Sequence, residues 1–351
     1  MKRFLLLLLL SLLFGISIPL ASFAEGNRSI TILYTGFVKG TIAPYALCPC
    51  GVNSSGGLAR RAHMIESIRK AKQSVLLLDC GAVFDSQSGE NAELHLKAME
   101  RMGYDALNLG SPELHFGKEF LERTHSHVSF PYIASNLLYG GSRLPWTREY
   151  IIKEVGGIKV AILGILDPDD LKNIPNQGDA KGFEVIPPEA ALDRLLPEVR
   201  GKADLVILLS QLDEVKNRAL VEAARGIDVV VSSGRSSILY KEPPENTVVI
   251  LHTGSEGMTM GLVTITLDDK RALSVSEKRD VPLNRSVPDN EEILGLVERY
   301  KKEQAIKKEK MEKEKAQKEL MGGLKLSPGE FMERYRKEEQ SKKEKAKHGE
   351  K

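Results

Sequence analysis

The strongest constraint on the fold of this chain is a regular alternation of short apolar segments with longer amphipathic ones. The segment 74–79 (SVLLLD) is one of the apolar runs, and it follows an amphipathic stretch at 58–72. Apolar runs of this length are typical of strands buried on both faces, and helices between them are typical of a layered α/β fold. Strands are predicted at 29–34, 74–79, 106–109, 132–135, 159–165, 205–209, 228–232, 248–252 and 261–267, and helices at 58–72, 93–102, 118–124, 188–196 and 212–225.

The first residues have the pattern of a secretory signal peptide. Lys2 and Arg3 precede an apolar run at 4–14, and the stretch 21–24 (ASFA) has small residues at the −3 and −1 positions of a cleavage site. The apolar run is shorter than the ~20 residues that a membrane-spanning helix needs, so a retained anchor is only the alternative. We expect residues 1–24 to be removed and the chain to be exported, to the periplasm or outside the cell. We expect no membrane span in the mature chain.

The formal net charge of +2 conceals an uneven distribution of charge. Residues 298–351 contain 18 Lys and Arg against 12 Asp and Glu, so residues 4–297 carry about −6. A negative body argues against nucleic-acid binding. The Lys- and Glu-rich segment 286–351 contains few apolar residues, which predicts a solvated helical or disordered tail after a body at 25–285. A helix that docks on a partner is the alternative for this tail.

Six short segments follow predicted strands in an order that resembles one enzyme family. They are Gly36–Gly40 (GFVKG), Asp79–Ala82 (DCGA), Gly110–Glu113 (GSPE), Ser210–Gln211 (SQ), Ile227–Ser236 (IDVVVSSGRS) and Gly254–Gly261 (GSEGMTMG). Over residues 29–270 they are similar to motifs of the N-terminal domain of the periplasmic 5′-nucleotidase branch of the calcineurin-like metallophosphoesterases. The resemblance implies a sandwich of two mixed β-sheets flanked by helices. It also implies an ancestral site for two metal ions that activate water and clamp a phosphate.

The residues that hold the metals in that family are replaced in this chain. The positions concerned carry Phe37, Lys39, Ala82, Ser111, Pro112, Gln211, Gly234 and Ser236. Phe37 and Ala82 have no ligating atom in their side chains, and the ammonium group of Lys39 would repel a metal ion. We therefore expect a catalytically degenerate domain with no cofactor at the ancestral site. An active hydrolase with unconventional ligands is the alternative.

The three cysteines suggest a different site near the same sheet edge. Cys48 and Cys50 follow the first strand and Cys80 closes the second, and ligand sites in α/β sheets form beyond the carboxyl ends of strands. A structural disulfide from Cys80 to Cys48 or Cys50 is one reading. The others are a soft metal ion, zinc or copper, held by the thiolates and His252, and a reactive thiol whose pKa is lowered by Lys39.

Several further residues are candidates for the border of the cleft, and the remaining histidines are not. The candidates are Asp79, Glu113, His115, Arg235 and His252. We expect ordinary surface positions for His63, His95, His125 and His127, and a polar helix face for Arg60 and Arg61.

The expected function is binding or assembly with a periplasmic protein partner in a redox or sulfur system, through a Cys-lined cleft. This expectation rests on the cysteines and on similarity to a superfamily member that hydrolyses cysteine-bound thiosulfate. A structural partner that acts through its basic helical tail is a second alternative.

Overall fold

The computed structural model describes residues 28–46, 54–85, 89–172, 174, 180–233, 248–254, 256–324, 329–330, 332–337 and 340. The predicted signal peptide lies outside these residues and stays a prediction. No helix of the described part of the chain is both long enough and apolar enough to cross a bilayer.

Sixteen strands and eight helices are found in the described residues. The strands are β1 Arg28–Thr35, β2 Tyr45–Ala46, β3 Ser54–Ser55, β4 Val75–Asp79, β5 Ala106–Asn108, β6 Tyr132–Ile133, β7 Leu137–Tyr139, β8 Thr147–Arg148, β9 Tyr150–Val155, β10 Ile158–Ile165, β11 Phe183–Val185, β12 Leu205–Ser210, β13 Val229–Ser232, β14 Val249–His252, β15 Thr259–Leu267 and β16 Leu273–Pro282. The helices are α1 Leu58–Ala71, α2 Ala92–Met102, α3 Ser111–Leu114, α4 Gly117–His125, α5 Pro168–Lys172, α6 Pro188–Arg200, α7 Glu214–Ala223 and α8 Glu291–Leu324.

Two mixed sheets form the centre of the molecule. The larger has the strand order β16-β15-β1-β4-β5-β6-β8, and the smaller has the order β14-β13-β12-β10-β9. Strand β1 pairs in parallel with β4 and antiparallel with β15, while β10 pairs in parallel with β12 and antiparallel with β9. The predicted α/β fold, two mixed sheets flanked by helices, is confirmed.

Alternate residues of each central strand serve two different cores. On β1, Ile32 packs between the two sheets, whereas Leu33 packs under the helices. On β10, Ile162 faces the other sheet and Leu163 faces α6 and α7. Because side chains alternate across a strand, a continuous apolar run covers both faces of its sheet. This arrangement explains why the buried strands could be predicted from composition.

The strands β9 and β16 were not predicted. They are the outer strands of their sheets, and much of each faces solvent. Charged residues such as Lys153 and Lys278 are common on edge strands, where they oppose aggregation but hide the apolar signal. These segments form strands because β9 pairs with β10 and β16 pairs with β15.

Helix α8 begins as part of the body and then leaves it. Ile293 and Val297 are buried in the core under α1 and α2, and Tyr300 packs against that core. From residue 301 to 316 every position except Gln304 is exposed. The expectation of a wholly solvated tail is therefore wrong for the first turns, although the proposed boundary at residue 285 remains a prediction. The Gly322–Gly323 pair does not break the helix, which continues to Leu324.

Three predicted surface residues prove to be interior. Arg61 and His95 have 0% exposure, and Arg60 has 8%. Arg60 bonds to Ser54 through its Nη1 and Nη2 atoms, which explains its burial beside the β2–β3 hairpin. The helix-face pattern was misleading because other parts of the chain cover both faces of α1 at its N-terminal end.

Candidate functional site

The loops that follow strands of both sheets meet at one edge of the sandwich. Phe37 N donates to Gly81 O at 2.8 Å, and Lys39 N donates to Ala82 O at 3.0 Å. The loops after β1 and β4 are thus joined along the backbone. This places the first three replaced ligand positions, Phe37, Lys39 and Ala82, beside one another.

Gln211 links these loops to the smaller sheet. Its Nε2 donates to Cys80 O at 3.0 Å, and Ser111 N donates to its Oε1 at 3.2 Å. Gln211 occupies a histidine position of the family motif, and its amide is satisfied within the protein rather than directed toward a ligand. We call Phe37, Lys39, Ala82, Ser111 and Gln211 the strand-end cluster. The structure brings these predicted residues together, with Pro112 next to Ser111 in α3.

Three members of the strand-end cluster have a left-handed backbone. The φ angles are 55° for Phe37, 50° for Lys39 and 57° for Ala82. Non-glycine residues rarely adopt this region, and such conformations concentrate at functional sites. The motif resemblance places metal-ligating residues at these three positions, so the unusual backbone coincides with positions that the family uses for its site.

Lys39 is the one charged side chain of the strand-end cluster. Its Nζ lies 4.3 Å from the centroid of the Phe37 ring and 4.0 Å from Glu256 Oε1. Glu256 N also donates to Phe37 O at 2.9 Å, so the turn after β14 is tied to the loop after β1. The ammonium group is partly compensated by an aromatic face and a carboxylate.

The buried carboxylate of Glu113 supports the loop after β4 from the interior of the protein. Its carboxylate accepts hydrogen bonds from the backbone N–H groups of Ala82, Val83, Phe84 and Gly110, at 2.7–3.1 Å. Burial raises the pKa of Glu113 to about 7, against the lowering effect of these donors. The residue is fully buried, so it supports the loop rather than lining the cleft as expected.

Asp79 is likewise interior. Thr35 Oγ1 donates to its Oδ2 at 2.5 Å, and Gly81 N donates to its Oδ1 at 2.8 Å. The Thr35 hydroxyl also lies 2.9 Å from the hydroxyl of Tyr104. Burial raises the pKa of the Asp79 carboxyl group, an effect that the Thr35 bond opposes. Asp79 therefore positions Gly81, and it has no exposed atom for a ligand in the cleft.

Cys80 is a free thiol in the core between the sheets. Its Sγ donates toward Val231 O at 2.9 Å and Ser210 O at 3.2 Å, and burial raises its pKa to about 12. A neutral, hydrogen-bonded thiol is a poor metal ligand, and Cys80 forms no disulfide. The expected disulfide from Cys80 to Cys48 or Cys50 is therefore wrong. Cys48 and Cys50 lie outside the described residues, so a soft-metal or reactive-thiol site that includes them stays a prediction.

Two of the remaining candidates, His115 and His252, lie within the described residues. His115 Nδ1 lies 3.1 Å from Ser111 O, which places this ring next to the strand-end cluster. His252 ends β14, half-buried, and its Nδ1 has no hydrogen-bond partner among the described residues. Burial lowers the pKa of His252. Gly234, Arg235 and Ser236 lie outside the described residues.

Sequence reasoning missed a polar cluster beneath the cleft. The fully buried Arg61 lies close enough to Asp79 and His95 to influence their pKa values, and burial and Arg61 together lower the pKa of His95 to about 3. No ring nitrogen of His95 has a hydrogen-bond partner in the described part of the chain. No sequence signal marked these residues, because arginine and histidine on an amphipathic helix usually face water.

The residues present do not fit a two-metal centre. The six described ligand positions offer a phenyl ring, an ammonium group, a methyl group, a hydroxyl, a proline ring and an amide, whereas such a centre needs carboxylates and imidazoles. Among the described residues, no three His, Cys, Asp or Glu side chains group closely enough to hold an ion.

Comparison with known proteins agrees with this fold. The chain superposes on the 5′-nucleotidase precursor of Thermus thermophilus with a TM-score of 0.70 at 21% identity, covering 79% of this chain and 59% of that one. The fold is that of the calcineurin-like metallophosphoesterases. No protein-family model matches the chain.

Curated proteins similar to the chain include 5′-nucleotidases and a metallophosphoesterase. The chain is 26% identical to the snake venom 5′-nucleotidase of Gloydius brevicauda, over 80% of this chain and 52% of that protein. It is 29% identical to the uncharacterized metallophosphoesterase YunD of Bacillus subtilis, over 58% of this chain and 46% of that protein. The predicted resemblance to the 5′-nucleotidase branch is confirmed. The chain spans about half the length of the curated relatives it matches.

Proposed function

We propose that this chain is an exported, non-hydrolytic domain of the 5′-nucleotidase type that serves as a binding or assembly protein. The observation that carries the proposal is the strand-end cluster, where the Gln211 amide bonds to Cys80 O and to Ser111 N. A side chain that ties the loops together occupies a position that the family uses for a metal ligand.

The charge of the cluster supports the same proposal. A hydrolytic metal centre needs anionic and neutral donors that converge on one point, but here the ammonium group of Lys39 stands at that edge. The backbone that shaped the ancestral site is retained, so the edge still presents a shaped surface. A surface without activated water suits recognition rather than hydrolysis.

Export is supported by the N-terminal pattern and by relatives whose names describe a venom protein and a precursor. The proposed periplasmic redox or sulfur setting rests on Cys48 and Cys50, which follow the loop leaving β1. Cys80 does not contribute to that proposal, because its thiol is enclosed between the sheets.

A phosphoesterase assay tests the non-hydrolytic proposal. Purified protein, freed of metal and then supplied with Mn²⁺, Zn²⁺ or Co²⁺, is assayed with nucleoside monophosphates and an aryl phosphate. We expect no turnover above that of the buffer with the same ion, because no three His, Cys, Asp or Glu side chains of the described residues group closely enough to hold an ion. Metal content measured after dialysis should be well below one ion per chain.

Variants decide whether any observed turnover belongs to the chain. Turnover that is lost in Lys39→Ala and Gln211→Ala, but is kept in the distant control Lys181→Ala, would show an active hydrolase with unconventional ligands. Turnover unaffected by all three variants would indicate a contaminating enzyme.

A second candidate function is that of a structural partner acting through the helical tail. It is favoured by the exposed course of α8 beyond Tyr300. This function does not depend on the chemistry of the cleft.

A further inference from the structure

The part of α8 that leaves the body forms a long charged rod. Residues 301–324, which we call the arm, extend about 36 Å beyond the packed turns at the 1.5 Å rise of an α-helix. Eight Lys and five Glu lie within the arm. The ion pairs Lys313–Glu309, at 2.7 Å, and Lys310–Glu314, at 3.9 Å, join residues of the arm itself. The exposed, charged side chains of the arm at 305–316 are available for contact with another molecule.

Part of the positive charge of the arm has no ion-pair partner in the described part of the chain. Lys307, Lys308 and Lys315 are exposed, and none forms an ion pair within the described residues. The Debye length is about 8 Å at physiological ionic strength, so charges far along the arm are screened from their own body. The arm therefore presents basic charge to its surroundings.

The body has the opposite charge. Residues 4–297 carry about −6, while residues 298–351 contain 18 Lys and Arg against 12 Asp and Glu, a surplus of +6. The body and the arm, which has eight Lys and five Glu, thus carry opposite net charge, which makes them complementary surfaces for contact between copies of the chain. Contact between two different surfaces of identical chains is a head-to-tail interaction.

We propose that the arm docks on the acidic body of a second copy of this chain, which gives salt-sensitive head-to-tail self-association. The inference deepens the second candidate function by naming its partner, and it is independent of whether the cleft hydrolyses a substrate.

A lipid surface fits the arm less well than a protein surface does. Ile306 and Met311 are its exposed large apolar residues in the described part, and they are five positions apart, about 140° around the helix at 3.6 residues per turn. Over residues 301–316, whose side chains the structure describes, the arm thus presents no continuous apolar face to a membrane interface. The five interspersed Glu residues would also be repelled by anionic lipid headgroups.

The molar mass of the full mature chain in solution tests the proposal. Light scattering or sedimentation is measured over a range of protein concentrations in about 20 mM and about 500 mM NaCl, which span weak and strong screening. We expect a concentration-dependent species of at least two chains at low salt and a single chain at high salt. A single chain under all conditions would overturn the proposal.

Charge-reversal variants locate the contact. We expect K307E/K308E/K315E to abolish the larger species at low salt, because the basic charge of the arm is reversed. The matched control K181E/K270E/K278E changes the net charge equally but on exposed positions of the body, and should retain the larger species. Circular dichroism checks that both variants keep their helix content. Equal loss in both variants would indicate a general charge effect and contradict docking by the arm.

A vesicle-binding assay tests whether the arm binds a lipid surface instead of a second copy of the chain. If the wild-type chain stays monomeric yet binds phosphatidylglycerol-containing vesicles through the arm, the proposal is wrong and the arm is a membrane-binding element. The phosphoesterase assay described above reports on the cleft alone, so failure of one proposal is distinguishable from failure of the other.

Discussion

At the residue scale, the loop after β1 has a backbone conformation that its side chains do not favour. Phe37 and Lys39 keep left-handed φ angles, although neither side chain belongs to the residue types that favour them. The hydrogen bonds from Phe37 N to Gly81 and from Lys39 N to Ala82 hold this geometry. The present side chains do not relieve the backbone strain at these two positions.

Replacement of Lys39 by glycine tests that strain. Glycine adopts φ near 50° without the steric cost of about 1–2 kcal/mol that other residues meet there. The gain is reduced by the greater freedom of glycine in the unfolded chain and by loss of the contacts to Phe37 and Glu256. We expect Lys39→Gly to leave the free energy of unfolding unchanged or raise it by up to about 1 kcal/mol.

Lys97→Gly is the matched control, since Lys97 is an exposed lysine inside α2. Glycine there should lower the free energy of unfolding by about 1 kcal/mol, because it weakens a helix. Denaturant titration of both variants gives the comparison. Equal destabilisation would argue against strain at Lys39.

At the element scale, α1 and α2 enclose polar groups against the larger sheet. Arg61 on α1 and His95 on α2 are both without exposed surface. His95 remains neutral in the folded protein, because burial and the charge of Arg61 lower its pKa to about 3. The packing of these helices is consequently sensitive to pH.

The sign of that sensitivity follows from proton binding. Between pH 6.5 and about 3, His95 binds a proton in the unfolded chain but not in the folded one, so stability falls as the pH falls through this range. Over about 1.5 pH units below 6.5, His95 should reduce the free energy of unfolding by about 2 kcal/mol. We expect His95→Leu to lack this part of the pH response.

Urea unfolding at pH 7.5 and pH 5 measures this effect. Between these two pH values, the free energy of unfolding should fall by about 2 kcal/mol more in the wild type than in His95→Leu. His127→Leu, on an exposed position, serves as the control and should respond to pH as the wild type does. An identical pH response in wild type and His95→Leu would show that His95 is charged in the folded protein.

At the scale of the whole molecule, α8 belongs to two environments. Its first turns complete the core over α1 and α2, where Ile293 and Val297 are buried. Asn290 N donates to Ala59 O just before the helix, and Arg101 pairs with Glu292 at 2.8 Å. The remainder of the helix buries no further core residues. Removing that remainder should therefore affect stability much less than removing the first turns.

Two truncations separate these environments. Ending the chain after Asn290 removes two buried aliphatic side chains, each worth about 1.5–3 kcal/mol, and should lower the thermal midpoint by several degrees. Ending it after Glu303 keeps these side chains and should leave the midpoint within about a degree of the full chain. Similar midpoints for both truncations would mean that the first turns contribute little to stability.

Much of the fold could be predicted from local patterns, but its edges could not. Strands β4 and β12 are continuous apolar runs, which is the pattern of strands buried on both faces of a sheet. Strand β16 is largely exposed along its length, and it becomes a strand because β15 offers a pairing partner. The structure places five of the predicted site residues together at the strand-end cluster, whereas Asp79 and Glu113 are buried behind it.

By itself the sequence determined the order of the motifs, the identity of the residues at the positions that the family uses for ligands, and the separation of charge along the chain. Each of these is a property of residues in sequence. Tertiary structure decided the burial of Cys80, Arg61 and His95, the left-handed backbone at Phe37, and the anchoring of α8 on the body. These properties depend on which distant segments close over a residue, and burial then sets its pKa and its available partners. Local sequence does not contain that information.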